Sequence, residues 1–372
     1  MLTPDEIAGL QEAFGQFSYD LSDTLIEQIV KQIAAAGRID EDTAYRIYKA
    51  RELGISEKRL KQVLKEKLNL SSGDVRKLFQ KAAYGSYSND LKRLGGNIRP
   101  LEENGWLQAV LSGTLDVTQG TLNNLTQTMG FVVQGQLLPM GQAYRRACDI
   151  AYEETVTGVK DYLSAVKDAC DGLYEKGIVC IDYESGMHTT LEAAVRRSLI
   201  GGLGLVNEQI EQHVSKELGT DGWEITAHAN SAPDHEPIQG RQYSNQTYES
   251  LNNSLVRRIG TLNCGHAAFP IMLGQDPQYT EKELDDMRND NANGVTVNGK
   301  RYTGYEATQK QRAYERAIRA QKRKAVGYKA AGDTARYKKA MTRIEVLKQS
   351  YNDFSKQAGL RTQTERMRVS GF

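Results

Sequence analysis

The sequence is poor in the residues that build disulfide-stapled or proline-rich proteins. Its 372 residues include 4 cysteines, 7 prolines and 5 histidines. The cysteines follow no tight repeated spacing, and so few of them in a chain of this length argue against a disulfide framework and indicate a reducing compartment. No apolar run approaches the roughly eighteen residues that span a membrane. The first residues lack the basic start and apolar run of a secretory signal, so we expect assembly in a cytosol.

The net charge of +1 hides an uneven distribution along the chain. Residues 301–372 contain 18 Lys and Arg against 6 Asp and Glu, a net charge of +12, which leaves −11 for the rest. A basic end on an acidic body is typical of an arm that binds nucleic acid or an acidic protein surface, and a solvated helix face is the alternative. The residues that we assign to this arm are Arg312, Arg316, Arg319, Lys322, Arg323, Lys324, Lys338 and Lys339.

Hydrophobic periodicity predicts a mainly α-helical protein that contains one small α+β module. We expect five consecutive ranges: a helical N-terminal module at 1–95, a connector at 96–138, a central helical region at 139–220, the α+β module at 221–304, and basic C-terminal helices with a tail at 305–372. In the last range, residues such as Ala317, Ala325 and Tyr328 form a weakly apolar surface. We expect this surface to dock on a partner.

Local sequence patterns predict the positions of individual strands and helices. The apolar run at 178–181 predicts a short buried strand, and the pattern from 191 to 203 predicts a helix. Between Val295 and Tyr302 the pair Asn298-Gly299 supplies the positive φ angles of a type I′ turn, which predicts a hairpin.

Residues 223–274 concentrate the side chains that could carry chemistry. They hold three of the five histidines and one of the four cysteines. Cys264 and His266 are two residues apart, which in an extended segment directs both side chains to one face. The candidate site residues are His228, His235, Gln239, Gly240, Asn263, Cys264 and His266.

Two interpretations of these side chains stay open. His228, His235, Cys264 and His266 offer the nitrogen and sulfur ligands that zinc accepts, and a structural zinc would stabilise a loop-rich module with few apolar residues. Alternatively, the histidines hydrogen-bond loop carbonyls and each other around Gly240, with Cys264 buried. Because the chain has no Cys-x-x-Cys knuckle, we prefer the network, and structural zinc is the alternative. No other cofactor is expected.

The sequence is also compatible with two other classes of function. A metal-dependent nuclease or toxin would use His228 and His235 with Asp234 or Glu236 to activate water beside a phosphate. Short helices between residues 41 and 83 could form a helix-turn-helix DNA-binding module. The sequence has no Walker lysine and no paired carboxylates at a telling spacing, so we expect no enzymatic activity.

The motifs of the central segment follow a fixed order: His228, Pro233-x-His235, Gln239-Gly240 with Tyr243, then Asn263-Cys264-x-His266 with Phe269-Pro270. In this order the segment resembles the family called phage minor capsid protein 2, a group of head proteins of tailed bacteriophages. With upstream motifs such as Tyr144-Arg145, the resemblance covers roughly residues 139–274. Ala232 and Ile238 stand where the family usually has Arg and Trp.

This resemblance implies a minor structural component of a tailed-phage or prophage head that acts in head assembly or DNA delivery. It implies a location in the virion, assembly in the cytoplasm of the bacterial host, and contact with the portal or the major capsid protein. The charge distribution adds packaged DNA as a partner through the basic C-terminal helices. No membrane partner is expected.

Overall fold

A computed structural model of the chain describes residues 73–133, 188–261, 264–330 and 332–369 without interruption. It also describes shorter stretches and single residues at 6, 9–21, 23–24, 62, 65–69, 136–139, 142–143, 146, 150, 157, 164, 171, 178–181 and 372. The chain forms two compact units. The first contains Met1–Phe14, Asn69–Thr121 and Arg196–Lys310, and the second contains Gly15–Leu68, Leu122–Val195 and Gln311–Phe372. The five consecutive ranges stay a sequence-based prediction.

Helix α1 (Asp74–Leu94) contributes to the core of the first unit. Its Phe79 is fully buried, and the ring lies 5.6 Å from that of Phe14, centroid to centroid. Helix α3 (Leu191–Leu218) packs closely against Thr118 and Phe79 at Gly202. A Cβ atom on Gly202 would lie 2.2 Å from Thr118 Oγ1, so this position requires glycine for packing.

Helix α2 (Gly105–Gln127) lies within the range that the sequence assigned to a connector. Its buried residues include Leu107, Leu111, Leu115 and Leu122, which are spaced at multiples of about one helical turn. Glycines 113 and 120 suggested a break, but each costs a helix only about 1 kcal/mol relative to alanine. Burial of the leucine stripe outweighs that cost, so a long helix forms within the range 96–138.

The α+β module contains the strands β5 (Gly222–Ile225), β6 (Gln242–Ser244) and β7 (Ala268–Ile271). They form a three-stranded antiparallel sheet with the order β6-β5-β7. Strands β1 to β4 precede them in the chain and belong to the second unit. Helix α4 (Asn245–Ser254) begins at Ser244, whose side chain accepts from the N–H of Thr247. The central position of β5 brings the segments that follow β5 and precede β7 side by side.

The module ends in helix α5 (Glu281–Asn293) and a hairpin of β8 (Val295–Val297) and β9 (Lys300–Tyr302). Asn298 and Gly299 have φ angles of 51° and 78°. These positive values are those that a type I′ turn requires, so the predicted hairpin is confirmed.

The second unit contains a four-stranded antiparallel sheet with the order β2-β1-β3-β4. Its strands are β1 (Gly130–Val133), β2 (Gln136–Pro139), β3 (Val179–Ile181) and β4 (His188–Thr190). Strand β3 coincides with the apolar run at 178–181, so the predicted strand is confirmed.

The next two helices are α6 (Gly304–Ala330), which belongs to the second unit from Gln311 onward, and α7 (Thr334–Gln357), which lies in that unit. Buried Ile318 of α6 packs with Tyr351 of α7, and buried Ala325 packs with Ala340 and Ile344. The weakly apolar surface of α6 therefore closes a core within its own unit, which corrects the expectation that it docks on a partner.

The fold is mainly α-helical with a small α+β module, as the sequence predicts. Within the described ranges, no helix combines the length and apolar character needed to cross a membrane. Most of the range 41–72 lies outside the described residues, as does most of the helix expected from about residue 140. The helix-turn-helix hypothesis therefore stays a prediction.

Candidate functional site

Strand β5 leads directly into the candidate site. Beyond its last residue, the N–H of Thr226 donates to the carbonyl of Ala267 at 2.8 Å, and the Thr226 hydroxyl accepts from the N–H of Ala267 at 2.9 Å. These two hydrogen bonds continue the pairing of β5 with β7 by one residue beyond the strand ends. They hold His228 beside the segment that contains Cys264 and His266.

A tight turn positions His235. The N–H groups of Ile238 and Gln239 both donate to the His235 carbonyl at 3.1 Å. The chain then passes through Gly240, whose φ is 68° and whose Cβ, if present, would lie 2.3 Å from Leu284 Cδ2. Glycine is required here for both reasons, and the N–H of Gly240 donates to the Ile225 carbonyl at 2.8 Å.

Three donor atoms converge in the interior of the module. Cys264 Sγ lies 3.2 Å from His235 Nδ1 and 3.5 Å from His266 Nδ1. The three ligand atoms all lie within 4.8 Å of one another, and the three residues are buried. We call this group the Cys–His–His cluster. The prediction that Cys264 and His266 direct their side chains to one face is confirmed.

Carbonyl oxygens fix the tautomer of both imidazoles. His235 Nε2 lies 2.7 Å from the Arg257 carbonyl, which can only accept, so Nε2 carries the hydrogen. His266 Nε2 lies 2.9 Å from Gln239 Oε1, and the same oxygen accepts from the N–H of His228 at 3.2 Å. Both Nδ1 atoms therefore present a lone pair to the Cys264 sulfur.

His228 does not join this convergence. Its ring stacks on that of His266 with centroids 4.2 Å apart, and its Nδ1 lies 3.0 Å from the Ala229 carbonyl. Among the described residues, the group that could hold a metal contains His235, Cys264 and His266. The four-ligand set expected from the sequence is therefore corrected to three, because stacking on His266 fixes the His228 ring to one side. Asn263 lies outside the described residues.

Burial sets the charge of the cluster. It lowers the pKa of His266 to about 2, with neighbouring His228 and His235 acting in the same direction. Burial also lowers the pKa of His235 and raises that of the Cys264 thiol. At neutral pH the cluster without a metal therefore consists of two neutral imidazoles and a protonated thiol.

A cavity of about 500 Å³ borders Cys264 and His266. Its wall includes Tyr248, whose ring stacks on Trp223 at 5.1 Å, and Glu211 of α3. Burial and then the charge of Asp90 raise the Glu211 pKa well above its ordinary value. The cavity wall therefore presents a carboxyl whose ionisation is opposed by burial, together with amides and aromatic rings, near one side of the cluster.

The carboxylates required by the nuclease hypothesis engage other partners. Asp234 Oδ1 accepts from Arg257 Nη2 at 2.6 Å, and Glu236 Oε1 accepts from Asn291 Nδ2 at 2.5 Å. No sequence pattern indicated Asn291, which is buried in α5, or the Arg257 carbonyl. Backbone acceptors carry no residue-type signature, and Asn291 lies 55 residues from Glu236.

The predicted basic arm divides into an inner and an outer set. Arg319 is buried, donates to the Arg366 carbonyl at 2.6 Å and lies 4.0 Å from the centre of the Tyr19 ring. Arg323 is buried between Asp23, at 3.1 Å, and Glu192, at 3.0 Å. These two side chains are buried in the second unit and bind groups of that unit. Their assignment to a basic arm that binds a partner is therefore corrected.

The other arm residues differ in exposure. Those that are partly buried are Arg312, Lys322 and Lys324, and those that are exposed are Arg316, Lys338 and Lys339. Lys322 lies 4.7 Å from the centre of the Phe372 ring. The exposed set is therefore smaller than the formal charge of the segment suggests.

Replacing Gln239 tests the hydrogen bonds behind the cluster. Gln239→Leu removes the acceptor of the His266 imidazole and of the His228 N–H, and each buried donor left unpaired costs about 1–3 kcal/mol. We expect the free energy of unfolding to fall by about 2–4 kcal/mol in urea titrations. Gln275→Leu, at an exposed position, is the control and should change it by less than about 0.5 kcal/mol. Equal effects of the two changes would contradict this account.

Replacing Arg323 tests the buried ion pairs of the second unit. Arg323→Met removes the cation that lies between two buried carboxylates, and breaking such a buried ion pair costs about 3–5 kcal/mol. Thermal and urea unfolding measure it, and Arg316→Met on the exposed side of α6 is the control.

The same ion pairs predict a dependence on pH. Although burial opposes ionisation of Glu192, Arg323 and Arg319 hold its pKa below the ordinary 4.5. Its contribution to stability is therefore complete above that value and is lost as the pH falls through the lower folded pKa. We expect wild-type stability to fall more steeply than that of Arg323→Met between about pH 5 and 3. Parallel pH curves would contradict this assignment.

A comparison with protein families identifies the chain. The family model described as phage minor capsid protein 2 matches residues 2–356, nearly the whole chain. Searches of curated proteins and of solved structures found no significant match. The family match extends well beyond the segment that carries the central motifs, and it supports a structural role in a phage head and a location in the virion. The chain belongs to the phage minor capsid protein 2 family.

Proposed function

We propose that this protein is a minor structural component of a tailed-phage or prophage head that contacts the portal or the inner capsid. We further propose that it holds packaged DNA through an exposed basic surface on α7 and acts in head assembly or DNA delivery. The observation that carries the DNA contact is the grouping of Lys338, Lys339 and Arg343 on one exposed side of α7. We call these three residues the basic face.

The helical spacing explains why these side chains act together. Lys339 and Arg343 are four positions apart and are therefore neighbours on the helix surface, and Lys338 lies on the adjoining exposed surface. On the opposite side, buried Ala340 and Ile344 pack with Ala325 of α6. Because the inner side is held by the core, the basic face has a fixed position from which to meet phosphate groups.

The Cys–His–His cluster supports a structural role for the module. Its members are buried, both imidazoles are held by carbonyl oxygens, and Asp234 is paired with Arg257. This arrangement suits a group that holds loops in place. Among the described cysteines, Cys180 and Cys264 are free thiols and buried, which supports assembly in the reducing cytoplasm of the host.

Charge removal on the basic face tests the DNA contact. The triple change Lys338→Gln, Lys339→Gln and Arg343→Gln removes three positive charges without touching the core. Each phosphate contact contributes about 0.9 to the slope of log affinity against log salt. We expect the magnitude of this salt slope, measured by fluorescence anisotropy on double-stranded DNA, to decrease by about 2 to 3.

The matched control removes the same charge elsewhere. Lys282, Lys300 and Arg76 are exposed in the first unit, and their replacement by Gln changes the net charge equally. This control should keep the wild-type salt slope. If both triple variants bind DNA alike, the basic face is not the DNA contact.

The contact with the head has a separate test. We expect the protein to co-purify with portal or major capsid protein from virions, and cross-linking followed by mass spectrometry should identify the partner. Recovery of the protein only from host extract, and never from particles that contain the portal, would contradict the head assignment.

A further inference from the structure

We infer that His235, Cys264 and His266 form a zinc site with three protein ligands. The donors are the Nδ1 atoms of both histidines and the sulfur of Cys264. This inference concerns the module alone and does not depend on the proposed contacts with DNA or the portal.

The two sulfur-to-nitrogen distances are close to those of a tetrahedral zinc centre. Zinc binds histidine nitrogen at about 2.0–2.1 Å and cysteine sulfur at about 2.3 Å, so neighbouring N and S ligands lie about 3.6 Å apart. Cys264 Sγ lies 3.2 Å from His235 Nδ1 and 3.5 Å from His266 Nδ1. Small shifts of these side chains are enough to accommodate the ion.

Proton counting favours a cation over a hydrogen-bond network. The Arg257 carbonyl and Gln239 Oε1 hold the Nε2 hydrogens, so two Nδ1 lone pairs face one thiol. The thiol has a single hydrogen and can satisfy one of them. A buried acceptor left without a donor is costly, whereas a zinc ion accepts both lone pairs and the sulfur together. On binding, the thiol proton leaves for solvent and the thiolate carries the negative charge.

The surroundings already contain the supports that metal ligands require. Histidines that bind metals usually donate their other ring N–H to a carbonyl or carboxylate, which fixes ring orientation. Both histidines do so here, through Arg257 and Gln239. The N–H of His266 also lies 3.4 Å from Cys264 Sγ, a contact that stabilises a thiolate. These contacts orient the donors independently of any ion.

The fourth position is left to a ligand from outside this set. His228 is stacked on His266, and Asp234 is paired with Arg257, so neither converges with the three donors. The cavity beside Cys264 and His266 gives water access to that side. We therefore assign the fourth position to a water molecule.

Metal analysis of the purified full-length protein tests the site. After zinc loading under reducing conditions and dialysis, we expect inductively coupled plasma mass spectrometry to find about one zinc per chain. Cys264→Ser should lose most of it. His213→Gln changes a histidine that stacks on Trp106, outside the cluster, and should keep it. Less than a fifth of an equivalent in correctly folded wild-type protein would overturn the proposal.

Cobalt substitution shows which atoms bind. Cobalt-loaded wild-type protein should have a near-ultraviolet thiolate-to-cobalt band and the visible bands of a tetrahedral ion, both retained in His213→Gln. His228→Gln should keep both bands as well, because His228 is not a ligand. A change in the visible bands of His228→Gln, with circular dichroism unchanged, would overturn the three-ligand assignment.

Chelation provides a measurement that needs no variant. Removing the metal from wild-type protein with a strong chelator should lower the melting temperature by several degrees, and added zinc should restore it. A melting temperature that is independent of zinc across this cycle, in protein that holds no metal, would overturn the proposal even if Cys264→Ser fails to fold.

Discussion

Two oxygen atoms determine how the imidazoles of His235 and His266 face the sulfur of Cys264. One is the Arg257 carbonyl and the other is the side-chain oxygen of Gln239. Each belongs to a different loop, and the sheet around β5 brings these loops together. The geometry of the cluster therefore depends on strand register, on the turn through Gly240 and on the path that follows α4. A one-residue slip of β7 against β5 would turn Cys264 and His266 away from His235.

Each compact unit contains a buried polar assembly that joins distant parts of the sequence. In the first unit His235 and Cys264 meet across 29 positions, and in the second Arg323 meets Asp23 across 300 positions and Glu192 across 131. Breaking such an assembly costs more than forming it gains, because the remaining partner stays buried without compensation. In the second unit, Arg323, Asp23 and Glu192 come one from each of its three segments, so these ion pairs hold the three segments together.

The sequence predicted those features whose cause is local. The spacing of Cys264 and His266 placed both side chains on one face, and Asn298-Gly299 specified the hairpin turn. It failed where the cause lies far along the chain. From the sequence, Arg323 is predicted to be a surface cation because its partners Asp23 and Glu192 are remote in sequence. His228 is predicted to be a fourth ligand because ring stacking has no sequence signature. Helix α2 was not predicted, since glycines 113 and 120 are visible in the sequence and the burial of the leucine stripe is not.

The position of Cys264 links the packing of the module to its chemistry. The thiol belongs to an apolar cluster with Ile225, Ile259 and Ala268, and its other side faces two imidazoles. A bare thiolate in that cluster would be an unpaired buried charge, which explains why burial raises its pKa. A bound cation reverses this balance, because the charge then has a partner at bonding distance. In the zinc site that we propose, the same sulfur would bind the metal, and that state would use both lone pairs that the oxygens of Arg257 and Gln239 direct toward it.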